Sequence, residues 1–263
     1  MSGMLLLRPP GVYRPQNDTA MLAGALREAR LPPGARVLEL GTGTGAVAVA
    51  AAREGAGQVV AVDVSVRAVL AARVNARVRG LPVRVLRGDL FGPVRGEVFD
   101  VIVANPPYVV GHRDPAAVRG RGRAWEAGAS GRAVLDRICR DAPGHLARHG
   151  TLLVVQSALS GAAATLVALR GAGLRASVVA RRREPFGPVM LARAAELEAR
   201  GLVRPGQRHE ELLVIRGDLP SAAGEAVQTP LEGTRQDPRQ GAGRTVRRTA
   251  VRGSAGGGGR HAA

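Results

Sequence analysis

Residues 36–52 read RVLELGTGTGAVAVAAA, which predicts a short apolar strand, a glycine-rich turn and a helix. Gly41, Gly43 and Gly45 occupy the turn, where glycine lets the chain bend sharply and lets a ligand approach bare backbone. The spacing is G-x-G-x-G with Glu39 two positions before it, whereas nicotinamide-binding turns carry G-x-G-x-x-G. Tight strand-to-helix turns are common, so the meaning of this one depends on the sequence around it.

The flanking sequence alternates short apolar runs with stretches of helical periodicity. One helix is predicted from an N-cap at Ser65, with an apolar series formed by Val66, Val69, Leu70, Val74 and Val78. Strands separated by helices predict a doubly wound α/β fold with a mostly parallel sheet and helices on both faces. The last two strands lack a helical crossover, so we expect the last one to be antiparallel. The seven predicted strands are Arg36–Leu40, Val59–Asp63, Val83–Arg87, Val98–Ala104, Thr151–Gln156, Ala176–Arg181 and Glu211–Arg216.

Acidic residues stand at the ends of the first three predicted strands, at Glu39, Asp63 and Asp89. A carboxylate at the second strand end can accept both hydroxyls of a ribose. Asp89, within Gly88-Asp89-Leu90, can accept from an adenine amino group, and each charge-assisted bond contributes about 1.5–3 kcal/mol. A single acid in such a place is usually a helix cap or a solvated turn residue. Three on successive strands favour a nucleoside-binding edge.

The fourth predicted strand leads into Asn105-Pro106-Pro107-Tyr108. A planar NH2 group is a poor nucleophile because its lone pair is delocalised. The Asn105 side-chain oxygen and the Pro106 carbonyl can each accept one of its N–H bonds, which fixes the nitrogen in line with an electrophile. The two prolines stiffen the loop, and Tyr108 offers a flat wall for stacking. The simpler interpretation is an ordinary turn, since Asn-Pro is a frequent turn signal.

Together, the glycine turn, the strand-end acids and NPPY resemble the class I S-adenosylmethionine-dependent methyltransferases. Residues 13–19 read YRPQNDT, NPPY continues as VV, and residues 124–132 read AWEAGASGR before AVLDR. In that order these motifs resemble the HemK-type protein N5-glutamine methyltransferases. The similarity is to their compact branch, which modifies the GGQ motif of eukaryotic and archaeal release factors. It spans residues 11–216.

The resemblance implies a Rossmann-like class I methyltransferase fold with S-adenosyl-L-methionine as cofactor. It implies that Thr19 lies near the cofactor carboxylate and that Trp125 and Gly128 help to shape the substrate mouth; Trp125 could equally be a core aromatic. The expected catalytic residues are Asn105, Pro106, Pro107 and Tyr108. The expected cofactor-binding residues are Thr19, Glu39, Gly41, Gly43, Gly45, Asp63, Asp89, Leu90 and Asn105.

We expect three parts in the chain. Residues 1–35 form an N-terminal segment that packs on the cofactor site, in place of the helical N-terminal domain of bacterial release-factor methyltransferases. Residues 36–216 form the methyltransferase domain, with an insertion at 182–209 between the last two strands. Residues 217–263 carry few large apolar side chains and are expected to be a disordered, basic tail.

The same tetrapeptide occurs in enzymes that methylate different planar nitrogens, so the motif does not determine the identity of the methyl acceptor. The favoured substrate is a glutamine in a protein, such as a GGQ-type release factor or another translation factor. The alternative is an N6-adenine or N2-guanine methyltransferase acting on RNA or DNA, although the chain has little room for a target-recognition domain. A third alternative is a non-catalytic cofactor-binding scaffold. The compact branch implies a small zinc-binding, activating partner subunit.

Composition narrows the class of protein. All 38 basic residues are arginine against 21 acids, a net charge of +17 that attracts polyanions. The basic loop at 119–123 and the tail could therefore contact a ribosome or nucleic acid, although the simpler interpretations are a solvated loop and an unselected C-terminal extension. The single cysteine, Cys139, excludes a disulfide framework, and no apolar run suits a membrane span, so we expect a cytoplasmic protein. His145 and His149 have no third ligand, and we expect no metal site.

Overall fold

The structure, a computed structural model, describes residues 5–111 and 127–220. Its strands are β1 Arg36–Leu40, β2 Gln58–Asp63, β3 Val83–Arg87, β4 Phe99–Ala104, β5 Leu146–Ser157, β6 Arg175–Pro185 and β7 His209–Asp218. Its α-helices are α1 Asn17–Glu28, α2 Ala46–Arg53, α3 Val66–Arg77, α4 Ala133–Asp141, α5 Ala162–Gly171, α6 Pro188–Ala192 and α7 Ala194–Ala199. Short 3-10 turns cover Gly92–Val94, Ala142–His145 and Ala158–Ser160.

The seven strands form one sheet in the order β3-β2-β1-β4-β5-β7-β6. The pairs β1–β2, β1–β4, β2–β3 and β4–β5 are parallel, and β7 runs antiparallel to both β5 and β6. The predicted Rossmann-like sheet with an antiparallel last strand is therefore confirmed.

Helices cover both faces because side chains alternate along each buried strand. On β1 and β4, Leu38 and Ile102 pack with Leu135 and Ile138 of α4. Their neighbours on the opposite face pack with α1, α2 and α3. Members of that second cluster are Val37, Val101 and Val103 from the sheet with Leu22, Leu26, Val47 and Val69 from the helices.

The outer surface of α3 differs from the prediction. Four members of the predicted apolar series, Val66, Leu70, Val74 and Val78, are between 42% and 69% exposed, and only Val69 is buried. The buried side chains of α3 are instead mainly alanines, namely Ala68, Ala71, Ala72 and Ala76. Small side chains are needed there because Gly45 approaches Ala72 so closely that a β-carbon on Gly45 would lie 3.1 Å from it.

The segment before β5 is interrupted at a proline. Helical periodicity continues from Leu135 to Leu146, but Pro143 is expected to kink or split such a helix. In the structure α4 ends at Asp141, and Pro143 falls in a 3-10 turn, since proline removes a helical donor. His149 lies within β5, and the His145 ring stacks on Phe91 at 4.5 Å between centroids.

The last two strands are longer than predicted. β6 continues to Pro185, which pairs with His209, so the residues between the strands are 186–208 rather than 182–209, and they hold α6 and α7. Since β6 is an edge strand with a largely exposed surface, its last residues carry no apolar alternation to detect. β7 continues past Arg216 to Asp218, which accepts a hydrogen bond from the Thr151 hydroxyl at 2.7 Å. Most of the predicted tail lies outside the described residues.

Among the helices of the described ranges, none combines the length and the apolar character that crossing a membrane requires.

Candidate active site

The predicted site residues converge because four neighbouring parallel strands end at one edge of the sheet. Leu40 is in register with both Val62 and Ala104, so Gly41 and Asn105 leave the sheet side by side. The backbone N–H groups of Gly41 and Thr42 donate to the Val62 carbonyl at 2.9 and 3.1 Å. These bonds tie the glycine turn to the end of β2.

The glycine turn needs glycine at each of the predicted positions. Gly41, Gly43 and Gly45 have φ of +69°, +55° and +80°, a region that other residues rarely adopt. A β-carbon on Gly41 would lie 4.0 Å from the backbone oxygen of Asn105, so the two loops are close neighbours. The hydroxyl of buried Thr44, in the same turn, has no hydrogen-bond partner.

Glu39 organises this turn from beneath. Its side chain is buried, and one carboxyl oxygen accepts from the Thr42 hydroxyl at 2.5 Å and from the Ala48 N–H at 2.9 Å. Burial is the largest influence on this group and raises the pKa of Glu39 to about 8, with a smaller contribution from the charge on Asp63. A contact between Glu39 and the cofactor stays a prediction.

Asp63 is held in place at the end of β2. Its two carboxyl oxygens accept from the N–H groups of Gly43, at 2.9 Å, and Ser65, at 2.8 Å. These two bonds fix the orientation of the Asp63 carboxyl group at the end of β2, and the predicted contact with a ribose stays a prediction. The Gly88 N–H donates to the Asp63 carbonyl at 3.0 Å, which brings the end of β3 to the same place.

Asp89 is the most exposed of the three acids and has a partner that the sequence did not indicate. Arg137 of α4 pairs with it through Nη2 and Oδ2 at 2.6 Å and through Nη1 and Oδ1 at 3.3 Å. The neighbouring Leu90 has φ of +46°, a strained value for a non-glycine residue. Strain of this kind is characteristic of functional turns.

The NPPY segment follows β4 directly, and residues 127–131 pack against it. Asn105, Pro107 and Tyr108 are half-buried, and Pro106 is buried. Gly131, with φ of +70°, lies so close that a β-carbon would be 2.7 Å from the Tyr108 carbonyl oxygen. Sequence reasoning did not single out Gly131.

Gly128, expected at the substrate mouth, lies beside the end of this segment. Its carbonyl accepts from the Gly111 N–H at 2.9 Å, and the Ala127 N–H donates to the Val109 carbonyl at 3.2 Å. Trp125, expected in the same region, falls outside the described residues.

Asp18 is a site residue that sequence reasoning missed, although it stands next to Thr19 in the quoted motif. It is 2% exposed, and its Oδ2 accepts from the hydroxyls of Tyr13 at 2.6 Å and Tyr108 at 3.0 Å. Its Oδ1 accepts from the N–H of buried Thr19 at 2.5 Å and from the Thr19 hydroxyl at 3.1 Å. The N-terminal segment therefore contacts the NPPY segment directly.

A second acidic side chain, Glu210, lies near the two tyrosines. Burial, then the charge on Asp18, raises the pKa values of Tyr13 and Tyr108 well above the ordinary value, so both phenols stay protonated. Burial also raises the pKa of Glu210, at the start of β7, and one of its oxygens is buried without a hydrogen-bond partner. Glu184 of β6 accepts from the Asn17 amide at 2.8 Å.

The chemistry of this edge fits S-adenosylmethionine. The turn of positive-φ glycines presents bare backbone, and the buried Thr44 hydroxyl lacks a partner. Asp63 and Asp89 supply carboxylates suited to a ribose and an adenine amino group. Asn105 stands beside Gly41, so the NPPY segment and the glycine turn are neighbours at this edge.

Comparison with known proteins identifies relatives. Residues 4–121 match the methyltransferase small domain family. A Methanocaldococcus jannaschii protein whose assigned activity is protein N5-glutamine methylation is 34% identical over 197 residues, covering 75% of this chain and 98% of that protein. The ribosomal RNA small subunit methyltransferase C of Alcanivorax borkumensis is 39% identical over 102 residues, covering 38% of this chain and 31% of that protein.

Among solved structures, the Mtq2–Trm112 complex of E. cuniculi, responsible for methylating the termination factor eRF1, contains a similar chain. The match has a TM-score of 0.55 and 26% identity, and covers 80% of this chain and 99% of the other. The near end-to-end match to the archaeal relative and the site geometry agree. The chain therefore belongs to the class I S-adenosylmethionine-dependent N-methyltransferases, in the family that includes the HemK-type protein N5-glutamine methyltransferases.

Proposed function

We propose that the chain transfers a methyl group to the side-chain amide nitrogen of a glutamine in a protein, with a translation release factor as the first substrate to test. The observation that carries this proposal is the position of Asn105 beside the glycine turn, where a β-carbon on Gly41 would lie 4.0 Å from the Asn105 backbone oxygen. An amide held by NPPY would therefore be presented at the cofactor edge of the sheet.

The residues of the loop act by binding and orienting the acceptor. The Asn105 side-chain oxygen and the Pro106 carbonyl each accept one N–H of the acceptor amide, which increases electron density on its nitrogen. Tyr108 and Pro107 form the wall against which the planar group stacks. When bound, the cofactor supplies an electrophilic methyl group on a sulfonium sulfur. Attack by the acceptor nitrogen on that methyl carbon would break the carbon–sulfur bond, whose electron pair would stay on the sulfur of the departing thioether, and the nitrogen would release one proton to water. The nucleophile would therefore be the substrate nitrogen, oriented by Asn105 and Pro106, rather than a side chain of the protein.

The N-terminal segment supports cofactor binding in this proposal. Asn75 of α3 accepts from the Leu7 N–H at 2.7 Å and donates to the carbonyls of Leu7 and Thr44, both at 2.9 Å. The segment is therefore tied to the glycine turn at one end and, through Asp18, to NPPY at the other. We assign the cofactor carboxylate to the vicinity of Thr19. The Thr19 hydroxyl donates to Asp18, so in this arrangement its oxygen would accept from the cofactor's ammonium group, and it would donate to the neighbouring carboxylate only after turning away from Asp18.

A protein acceptor is favoured by the relatives. The archaeal relative is named for glutamine methylation, and the E. cuniculi complex is named for methylation of a termination factor. That complex also contains Trm112, so we propose that a comparable small subunit assists this chain. A translation factor as substrate would place the enzyme in the cytoplasm. Trp125 and Gly128 are proposed to shape the mouth through which the glutamine enters.

A second candidate is methylation of adenine N6 or guanine N2 in RNA. It is favoured by the similarity to the Alcanivorax ribosomal RNA enzyme and by the net charge of +17. Exocyclic amines of bases are planar and would use the same pair of acceptors on Asn105 and Pro106. The arginines at 119–123 and in the tail would then contact phosphates.

Labelled S-adenosylmethionine, incubated with the protein and a cell lysate, separates the two candidates. We expect label in the macromolecular fraction that protease releases and nuclease leaves in place. Label released only by nuclease would overturn the protein acceptor. Asn105→Ala in a parallel incubation identifies the label that depends on this site.

A further inference from the structure

Asp18 connects the two ends of the proposed site through phenols. The chain contains two tyrosines in all, Tyr13 and Tyr108, and the hydroxyls of both donate to the same carboxyl oxygen of Asp18. Tyr108 belongs to the NPPY segment, whereas Tyr13 belongs to the N-terminal segment and also accepts from the Gln16 amide at 3.0 Å. Asp18 and Tyr108 are 90 residues apart in sequence.

We infer that Asp18 is a positioning residue for methyl transfer, which acts through the hydroxyl of Tyr108 to fix the wall of the acceptor site. The inference rests on the proposed function of NPPY. Asp18 itself makes no contact with the acceptor. It positions the ring of Tyr108, which contacts the acceptor.

The contacts around Tyr108 explain why such an anchor is needed. Its backbone is fixed by the close approach of Gly131, whose β-carbon would meet the Tyr108 carbonyl at 2.7 Å. That contact involves the Tyr108 backbone alone, and the bond to Asp18 fixes the hydroxyl at the far end of the side chain. A shift of about 1 Å in a positioning group can lower a rate by about 100-fold.

Asp18 itself is well fixed. It is 2% exposed and sits in the first turn of α1, and its other oxygen accepts from the N–H and hydroxyl of Thr19. A buried carboxylate with several donors is a rigid acceptor, because its charge would otherwise be unpaired. The position of the Tyr108 hydroxyl is therefore set by α1, through Asp18, rather than by the loop that carries Tyr108.

The first test is kinetic. The cofactor is kept at a saturating concentration, so that a lower cofactor affinity caused by a change at Thr19 does not lower the measured rate. We expect Asp18→Asn to lower kcat by about 10- to 100-fold, with a change in the acceptor KM of less than about threefold. The matched control is Asp100→Asn, since Asp100 accepts from the Arg36 N–H at 2.8 Å near the opposite end of β4. That control should keep kcat within about twofold.

A double-mutant cycle shows whether the effect passes through Tyr108. Tyr108→Phe removes the hydroxyl and keeps the ring, so the double variant with Asp18→Asn should be no slower than the slower single variant. Independent, multiplying losses in kcat would overturn the inference.

A third measurement requires no enzymatic activity. In a Tyr13→Phe background Tyr108 is the one remaining tyrosine, so the NMR signal of its Cζ carbon, labelled with 13C, reports the hydrogen bond of its hydroxyl in the folded protein at neutral pH. Asp18→Asn should shift this signal, because a neutral amide oxygen is a weaker acceptor than a carboxylate. An unchanged signal would show that the bond between Asp18 and Tyr108 is absent in solution and would overturn the inference.

The outcomes separate the inference from the proposed function. If Asn105→Ala and Tyr108→Phe are both fully active, NPPY is not the site and the proposed function fails. If Asn105→Ala is inactive and Asp18→Asn retains normal kcat, the proposed function stands and the positioning role of Asp18 fails.

Discussion

At the scale of single residues, Glu39 shows how the protein shapes its glycine turn with a buried acid. The carboxyl group lies under the turn and accepts from Thr42 and Ala48, while its environment favours the protonated form. The same side chain therefore orders the turn and makes the folded state sensitive to pH.

Stability should accordingly fall as pH rises. The folded-state pKa of Glu39 is about 8 against an ordinary value of 4.5, so between these pH values the folded protein holds a proton that the unfolded chain releases. The free energy of unfolding should lose about 1.4 kcal/mol per pH unit from this group across that window. Urea unfolding of the wild type and of Glu39→Gln from pH 5 to 8 measures the difference. Parallel curves for the two proteins would contradict the buried, protonated Glu39.

Asn105 carries the chemistry of the proposed site. Asn105→Ala removes one of the two acceptors for the acceptor amide, so we expect the rate to fall by about 100-fold or more while the cofactor Kd changes by less than about threefold. Single-turnover transfer from labelled cofactor measures the rate, and isothermal titration measures the Kd. A normal turnover number would remove NPPY from the mechanism.

The sequence could identify those residues whose role depends on the conformation of the neighbouring backbone. The glycine turn needs positive φ, and NPPY has a rigid local form, so both could be predicted from short motifs. Asp18 could not, because its partners lie 5 and 90 residues away and only the fold brings them together. Arg137 escaped notice for the same reason, since its partner Asp89 is 48 residues distant.

At the scale of elements, α3 supports the glycine turn through one buried amide. Asn75 is 1% exposed and joins the N-terminal segment at Leu7 to the turn at Thr44. Periodicity drew attention to the valines and leucine of this helix, yet the functional contacts come from its polar residue and its alanines. An apolar pattern predicts that a helix forms. It does not predict which side of the helix is buried when the contact with the sheet requires small side chains.

Removing this amide should loosen the element. Asn75→Ala deletes three hydrogen bonds and leaves the Thr44 carbonyl without that partner, so the free energy of unfolding should fall by about 2–4 kcal/mol. Asn17→Ala is the matched control, since its exposed amide donates to Glu184, and it should cost less than about 1 kcal/mol. Equal losses in the two variants, measured by urea unfolding, would contradict the supporting role of Asn75.

At the scale of the whole molecule, the order of strands in the sheet explains where the candidate site lies, whereas the net charge of the chain does not. Four parallel strands deliver the glycine turn, Asp63, Asp89 and NPPY to one edge, and this arrangement followed from the alternation of strands and helices in the sequence. The chain carries a net charge of +17, yet Asp63 and Asp89 stand at this edge of the sheet, so the net charge does not describe the candidate site. The extended β6–β7 hairpin was harder to predict, because an edge strand with exposed arginines lacks apolar alternation.

The proposed role of NPPY is to present a protein glutamine for methylation. Tandem mass spectrometry of a GGQ-bearing release factor tests this role after incubation with the protein, S-adenosylmethionine and ribosomal RNA, with and without a small Trm112-type subunit. We expect one methyl group on the glutamine side chain, absent when Asn105→Ala replaces the wild type. A methyl group found on a nucleobase, with the glutamine unmodified, would contradict it.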